Sequence, residues 1–312
     1  MNEEQFQAER RSGIGGSDMS AILGINPFGR TVHDVYMEKV GLAKSKQPSK
    51  RMLIGTRLEP VIAEWYVVET GFGVSHPGLL RHKEHNFLIG HLDGIASKNG
   101  DRGVLEIKTT DARFAYLWGE QSSDEVPDVY NIQVQHYMGL ADLGWADIAV
   151  LIGGNDFRIY RVPRNQRLWA AMCQAAEEFW VKYVLPKMPP PIDGTESAKT
   201  LLTKLYPRDS GVEMLADAEL DETVQTYLSL RDEAKSAGSK VLGYENKIKE
   251  KMGVASLLRG RGYRISWKAT KDRKSIDYKS ILGEANVPED VIVRHTKIEQ
   301  GSRPFRVNVT KE

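Results

Sequence analysis

The chain has 312 residues, of which 41% are hydrophobic and 27% charged, with a formal net charge of +1. This is the make-up of an ordinary globular protein, long enough for one large domain or a core with an appendage, and any nucleic-acid contact must come from local basic patches. The lone Cys173, set in an apolar helical stretch as a small buried hydrophobe, excludes a disulfide framework and a four-cysteine iron–sulfur cluster. No stretch is long and apolar enough for a membrane span, and the acidic Met-Asn-Glu-Glu-Gln start does not read as a signal peptide, so a reducing cytoplasm is the expected compartment.

A charged helical stretch leads into Gly13-Ile14-Gly15-Gly16-Ser17-Asp18, where Ser17 or Asp18 is placed to cap a helix ending at Gly24. A short helix is expected over 32–40 and a basic loop over 44–50. Helical periodicity over 55–68 puts Leu58, Ile62, Trp65 and Tyr66 on an apolar face with Glu59 near its edge. Strands are expected at 79–80, 87–95 and 104–109. A helix capped by Asp128 runs over 128–143, a hairpin joins 146–152 to 158–162 through Gly153-Gly154-Asn155-Asp156, and a long helix covers 166–184. The triple proline at 189–191 marks a boundary, since consecutive prolines stiffen the chain and cannot continue a helix. The expected organisation is a core domain at 1–188, a linker at 189–197 and an accessory α+β region at 198–312. In that last region 217–252 is mostly helical, with Gly238 and Gly243 weakening its middle, so that one helix or two are both open, and short strands follow from Leu257.

The chemistry concentrates at Asp93, in Gly-His-Leu-Asp-Gly, and Glu106, in Leu-Glu-Ile-Lys. A strand repeats its face every second residue, so Glu106 and Lys108 project together while Leu105 and Ile107 point the other way. The turn formers over 97–103 fold Asp93 back beside Glu106 in an antiparallel hairpin. Two ionised carboxylates about 5 Å apart repel by roughly 3 kcal/mol at an effective dielectric near 20, so a metal, a shared proton or a basic neighbour has to compensate. Hard oxygen ligands without a histidine or cysteine cluster favour Mg²⁺, with Mn²⁺ as substitute, over zinc. Gln133 and Tyr137, four apart on the helix from Asp128, share one face and pack across that strand.

Glu59, Asp93, Glu106-Ile107-Lys108 and Gln133-(x)3-Tyr137 occur in the order of the PD-(D/E)xK nuclease superfamily. With Arg10-(x)3-Ile14-Gly15-Gly16-Ser17-Asp18, Gly55-Thr56-Arg57-Leu58-Glu59 and Gly90-His91-Leu92-Asp93-Gly94, the chain resembles the YqaJ-type viral recombinase and lambda-exonuclease branch over roughly residues 8 to 185. The superfamily's proline-aspartate is replaced by Leu92-Asp93, which leaves the acid intact.

That resemblance implies an α/β (α+β) core with a mixed central sheet flanked by helices, followed here by a helical and β-hairpin appendage. It implies that Asp93, Glu106 and the Ile107 backbone carbonyl bind the metal, that Lys108 orients or deprotonates the attacking water, and that Glu59 serves a second metal or its water. Gln133, and with it Tyr137, would meet the scissile phosphate. Arg10 and Ser17 align with the pair that grips a 5′-terminal phosphate, Arg11 being an alternative to Arg10. The implied activity is a 5′-to-3′ exonuclease that trims linear double-stranded DNA from a 5′-phosphate end. It would leave 3′ single-stranded tails for phage-type recombination with a single-strand annealing protein, in the host cytoplasm of a phage or prophage. A homo-oligomer, a trimeric ring, is also implied. Two other readings stand beside it: a structure- or sequence-specific endonuclease on the same core, and a non-catalytic module that binds DNA ends or the annealing protein.

Two further segments carry aromatic and basic residues. Arg113, Phe114, Tyr116 and Trp118 could wedge or stack at a duplex end. Residues 256–280 hold eight Lys or Arg against two Asp, interleaved with Tyr263, Trp267 and Tyr278, a strip able to follow a phosphate backbone.

Overall fold

Residues 145–152 are apolar at nearly every position, and 103–107 are buried on both sides of their strand, the pattern of strands lying inside a sheet that is covered on both faces. The structure, a computed structural model, describes residues 3–43, 49–121, 123–271, 277, 281, 285, 287–297 and 305. The chain forms two units, Met1–Pro207 and Arg208–Glu312, each taken by itself below.

The first unit opens with helices α1 (Glu3–Arg11), α2 (Gly16–Ile22), α3 (Val32–Lys39) and α4 (Lys50–Thr70). Strands β1 (Gly73–Ser75), β2 (Leu79–Arg81), β3 (Ile89–His91), β4 (Gly94–Lys98) and β5 (Asp101–Thr110) follow. Then come α5 (Asp128–Ala141), β6 (Trp145–Ile152), β7 (Asp156–Pro163), α6 (Gln166–Phe179) and α7 (Glu196–Leu205). The central sheet has the order β1-β4-β5-β6-β7 and is antiparallel except between β5 and β6, which α5 connects. This is the mixed α/β core expected. The β4–β5 turn is Asn99-Gly100, both residues left-handed (φ 51° and 86°), a two-residue hairpin that pairs Lys98 with Asp101 and Gly94 with Leu105.

The two sheet faces have separate cores. Leu105, Ile107, Ala149 and Leu151 pack under Ile62 and Tyr66 of α4. Val104, Ile148 and Val150 pack with Ile132, Val134 and Met138 of α5. By alternation Glu106 and Lys108 lie on the α5 face.

Four expectations need correction. The strand at 87–95 is two strands in two sheets: β3 pairs with β2, the chain bends at Leu92–Asp93, and β4 joins the central sheet. The cap of α2 is Gly15 and not Ser17 or Asp18; Asp18 sits one turn in and accepts from the Gly15 N–H at 2.9 Å. Likewise Asp128 is the first residue of α5, after Pro127. Finally, the core does not end at 188. The proline strap lies on α3, with His33 Nε2 donating to the Pro191 carbonyl at 2.9 Å and the Tyr36 hydroxyl to that of Lys187 at 2.8 Å. Helix α7 then buries Ala198 and Leu201 in the core, and Ser197 donates to Asp34 at 2.7 Å. An amphipathic helix needs something to cover its apolar face, and this core is what α7 uses. Cys173 is half-buried, and burial pushes its thiol up to about 11.

In the second unit, α8 (Ala218–Met252) is one helix of 35 residues, capped by Asp217. Gly238 and Gly243 do not divide it; each costs about 1 kcal/mol against alanine, too little to break a helix of this length. A hairpin, β8 (Leu257–Gly260) with β9 (Tyr263–Ser266), and a short helix at Glu289–His295 follow. Residues 44–48 of the expected loop, and Tyr278 of the basic strip, fall outside the described residues. No helix among the described residues is long and apolar enough to cross a membrane.

His136 of α5 is fully buried; its Nε2–H donates to the Ile89 carbonyl at 2.9 Å while Nδ1 has no partner. Burial holds its pKa down to about 4, outweighing the bond to Ile89. An unfolded imidazole titrates near 6.5, so the unfolded chain binds the extra proton first. The stability contributed is complete above about pH 6.5 and is lost as pH falls toward 4. Denaturant unfolding at pH 7.5 and pH 5 should show a drop of about 2 kcal/mol from this group, which His136→Gln should largely abolish. Leu201→Ala should cost about 2–5 kcal/mol in the same assay, whereas a helix outside the core would tolerate it.

Candidate active site

Asp93 stands on the bend between β3 and β4, and its Oδ2 accepts the Ile107 N–H at 2.7 Å. This bond fixes the acid against the middle of the Glu106-Ile107-Lys108 segment. Glu106 is buried, and its Oε1 accepts both from Lys108 Nζ and from Gln133 Nε2, the latter at 2.7 Å. Its Oε2 is also buried and meets no donor among the described residues. Gln133 Nε2 further donates to the Tyr137 hydroxyl at 3.2 Å. Glu59, half-buried on α4, is near enough to feel the charges of Asp93 and Lys108. The structure therefore brings Asp93, Glu106, Lys108, Gln133, Tyr137 and Glu59 together.

The charges strain against one another. Burial and the charge of Asp93 push Glu106 up to about 8, with Lys108 pulling the other way. Glu59 is raised by burial and by Asp93. Lys108 is half-buried, and loss of water works against its charge, but Glu106 and Asp93 outweigh that and hold its pKa above the ordinary lysine value. These neighbours favour the protonated form of Lys108, the form that donates a hydrogen bond. Its Nζ also lies 5.3 Å from the centre of the Tyr130 ring, which stacks on Trp118 at 5.5 Å.

A buried carboxylate oxygen without a donor, beside a second carboxylate and opposite a third, suits a hard divalent cation. Among the described residues no group of three or more His, Cys, Asp or Glu converges as a cage, so side chains alone do not complete a coordination shell. Two carboxylates would need backbone oxygen and solvent to fill it, which is ordinary for Mg²⁺.

A second charged cluster adjoins the first. Asp18, fully buried, is held by Lys39 Nζ at 2.6 Å and Arg30 Nη2 at 2.6 Å, with Arg10 Nη2 farther off at 3.7 Å. Burial opposes its charge, but Lys39, Arg30 and Arg10 together hold its pKa far below the carboxylate range. Arg30 also reaches Glu38 at 2.6 Å and the Ser17 carbonyl at 2.9 Å. Ser17 is exposed at the start of α2, and of the two neighbouring arginines it is Arg10 that turns toward this cluster. Tyr137 links the clusters physically: a Cβ on Gly16 would stand 2.8 Å from its ring and 3.1 Å from Gln133. The close approach that Gly16 permits is to this ring.

Residues 5–143 match the family model of the YqaJ-like viral recombinase domain. The chain is 32% identical over 286 residues to YqaJ of Bacillus subtilis (strain 168), covering 90% of this chain and 88% of that protein. The chain belongs to the YqaJ-like viral recombinase family. Among solved structures it is similar to the alkaline exonuclease LHK-Exo of Laribacter hongkongensis in complex with dAMP, at 20% identity and a TM-score of 0.47, over 66% of this chain and all of that one. A phage related exonuclease from Haemophilus somnus 129PT is similar at 16% identity and a TM-score of 0.38, over 56% and 96%.

The remaining candidates lie just after β5. Arg113 is exposed and folded onto Asp111, its Nε and Nη2 each 3.1 Å from that carboxylate, at the start of a 3₁₀ segment, Ala112–Leu117. Trp118 is buried against Tyr130 and Tyr160 and forms part of the core, whereas Phe114 and Tyr116 are exposed. Sequence reasoning missed Tyr130, although it stands three before Gln133 and seven before Tyr137 on the same helical stripe. It also missed Arg30 and Lys39; neither has a spacing that announces a partner, and both are defined only by the approach of α3 to α2.

Removing Lys39 leaves a buried carboxylate short of its nearest cation, which costs about 3–5 kcal/mol. Lys39→Met should lower unfolding stability by that amount, and Asp18→Asn added to it should recover most of the loss. Additive losses in the double variant would show that the two side chains are not coupled.

Proposed function

We propose that this protein is a metal-dependent exonuclease that degrades linear double-stranded DNA from a 5′-phosphate end, in the 5′-to-3′ direction. The observation that carries the reading is Glu106: a buried carboxylate oxygen without a donor, flanked by Asp93, Lys108 and Gln133 on one strand face and one helix face. Mg²⁺ or Mn²⁺ held by Asp93, Glu106 and the Ile107 carbonyl, with Glu59 toward a second ion or its water, would supply polarisation of the phosphoryl oxygen and neutralise the departing 3′-oxygen. Lys108, kept protonated by its two acidic neighbours, donates a hydrogen bond that orients the attacking water. Gln133, whose amide spans Glu106 and Tyr137, is placed to donate to a phosphate oxygen.

Hydrolysis breaks the P–O3′ bond, the water oxygen staying on phosphorus and a water proton going to the departing 3′-oxygen, which becomes a hydroxyl. The remaining strand then carries a new 5′-phosphate, so a pocket for that group can be used again after each cut. Arg10 and Ser17, beside the Arg30–Asp18–Lys39 cluster and one tyrosine ring from Gln133, support such a pocket. The 3′ tails produced would feed single-strand annealing by a partner protein, in the host cytoplasm of a phage or prophage, and the enzyme would work as a homo-oligomer.

One observation favours the endonuclease alternative: Asp18 and Glu38 already engage the cations of that cluster. Linear duplexes bearing 5′-phosphate or 5′-hydroxyl, and a covalently closed circle, should separate the two with Mg²⁺ and with chelator. The expected result is digestion of the phosphorylated linear duplex alone, lost with chelator; nicking of the circle would overturn the exonuclease reading. Asp93→Ala should bind the duplex end while cleavage falls at least about 10³-fold, the scale of losing charge stabilisation at a transition state.

A further inference from the structure

Helix α8, about 50 Å long, carries two distinct apolar stripes. On the first, Val224 and Leu228 are half-covered and Met252 is buried. The second runs Tyr227, Leu230, Ala234, Ala237, Val241, Tyr244, Ile248, steps of three and four that keep to one side of a helix. It faces solvent: Leu230 is 58%, Val241 65% and Tyr244 69% exposed, and Ala234 and Ala237 are exposed as well. Phe305 lies against Tyr227, with ring centres 5.9 Å apart, at one end of the stripe.

From Tyr227 to Tyr244 this stripe is a palindrome in side-chain size: aromatic, aliphatic, Ala, Ala, aliphatic, aromatic. We infer that it is the contact through which α8 pairs, antiparallel, with α8 of a second copy of this chain. A two-fold axis between positions 234 and 237 sets Tyr227 on Tyr244 of the second copy, Leu230 on Val241, and Ala234 on Ala237. Each contact occurs twice, as an isologous interface requires. The central alanines let the two helices approach closely. The flanks agree: the same axis brings Glu233 beside Lys240 of the second copy, again twice. A parallel pair would leave Glu233 beside Gly238 and align the two helix dipoles instead of opposing them. Nothing in this contact draws on the nuclease site, so it stands or falls independently of the proposed activity.

The test uses the full-length chain carrying Cys173→Ser. Ala234→Cys and Ala237→Cys variants are made separately and treated with a short bis-maleimide, each alone and as an equal mixture. The mixture should give cross-linked dimer at several-fold higher yield than either variant by itself. Single-variant yields that match or exceed that of the mixture would mean parallel pairing, and no cross-link in any sample would mean that this stripe meets no second copy; either overturns the inference. Sedimentation of Leu230→Glu supplies a second reading. Self-association through this contact should weaken at least about 10-fold, with helix content by circular dichroism unchanged. If instead the variant unfolds at lower temperature with its association intact, the stripe is covered by another part of its own chain and the inference fails.

Discussion

Glu106 is a carboxylate taken out of water in the middle of a parallel ladder, and the rest of the site is arranged around that cost. An isolated buried charge is worth several kcal/mol of penalty. Lys108, two residues on and therefore on the same face, supplies the opposite charge, and Gln133 from the crossover helix supplies a hydrogen bond to the same oxygen. Asp93 makes the problem worse, and it is held there by the Ile107 N–H and not by a cation. An arrangement that raises one acid to about 8 and leaves its second oxygen without a donor is poorly explained as a device for stability. It is well explained as a place where positive charge arrives from outside.

The second buried carboxylate is solved differently. Asp18 has more cationic charge around it than it needs, and its pKa is driven down where that of Glu106 is driven up. Two acids of equal burial are thus shifted in opposite directions because their neighbours differ. Tyr137 sits between them with its hydroxyl on Gln133 and its ring against Gly16. The helix bearing Gln133 and the turn bearing Ser17 are consequently one packed object.

The core is larger than the catalytic elements need. The strap through the prolines and α7 pack on α3, the same helix that supplies Lys39 and Glu38 to the Asp18 cluster. Stability of the far side of the unit and geometry of the Asp18 cluster therefore share an element. The second unit is built on other terms. Its long helix keeps a continuous apolar stripe in solvent, which isolated globular units seldom do without a use for it.

Local pattern was enough to announce the strand bearing Glu106 and Lys108, the hairpin turn over 97–103, the helix bearing Gln133 and Tyr137, and the grouping of these with Asp93, whereas Glu59 joined them only through the family resemblance. Each of the former depends on periodicity or turn chemistry, which neighbouring residues carry among themselves. Tertiary packing alone decided the rest. The bend at Asp93 exists because two sheets claim the two halves of one extended run. Trp118 is core because Tyr130 and Tyr160 lie against it, and α7 belongs to the first unit's core because α3 leaves it an apolar face. Arg30 and Lys39 acquire their partner only when α3 folds against α2, some 12 and 21 positions away from Asp18 in the chain. Charge pairing of that kind is set by three-dimensional approach, and no local spacing encodes it.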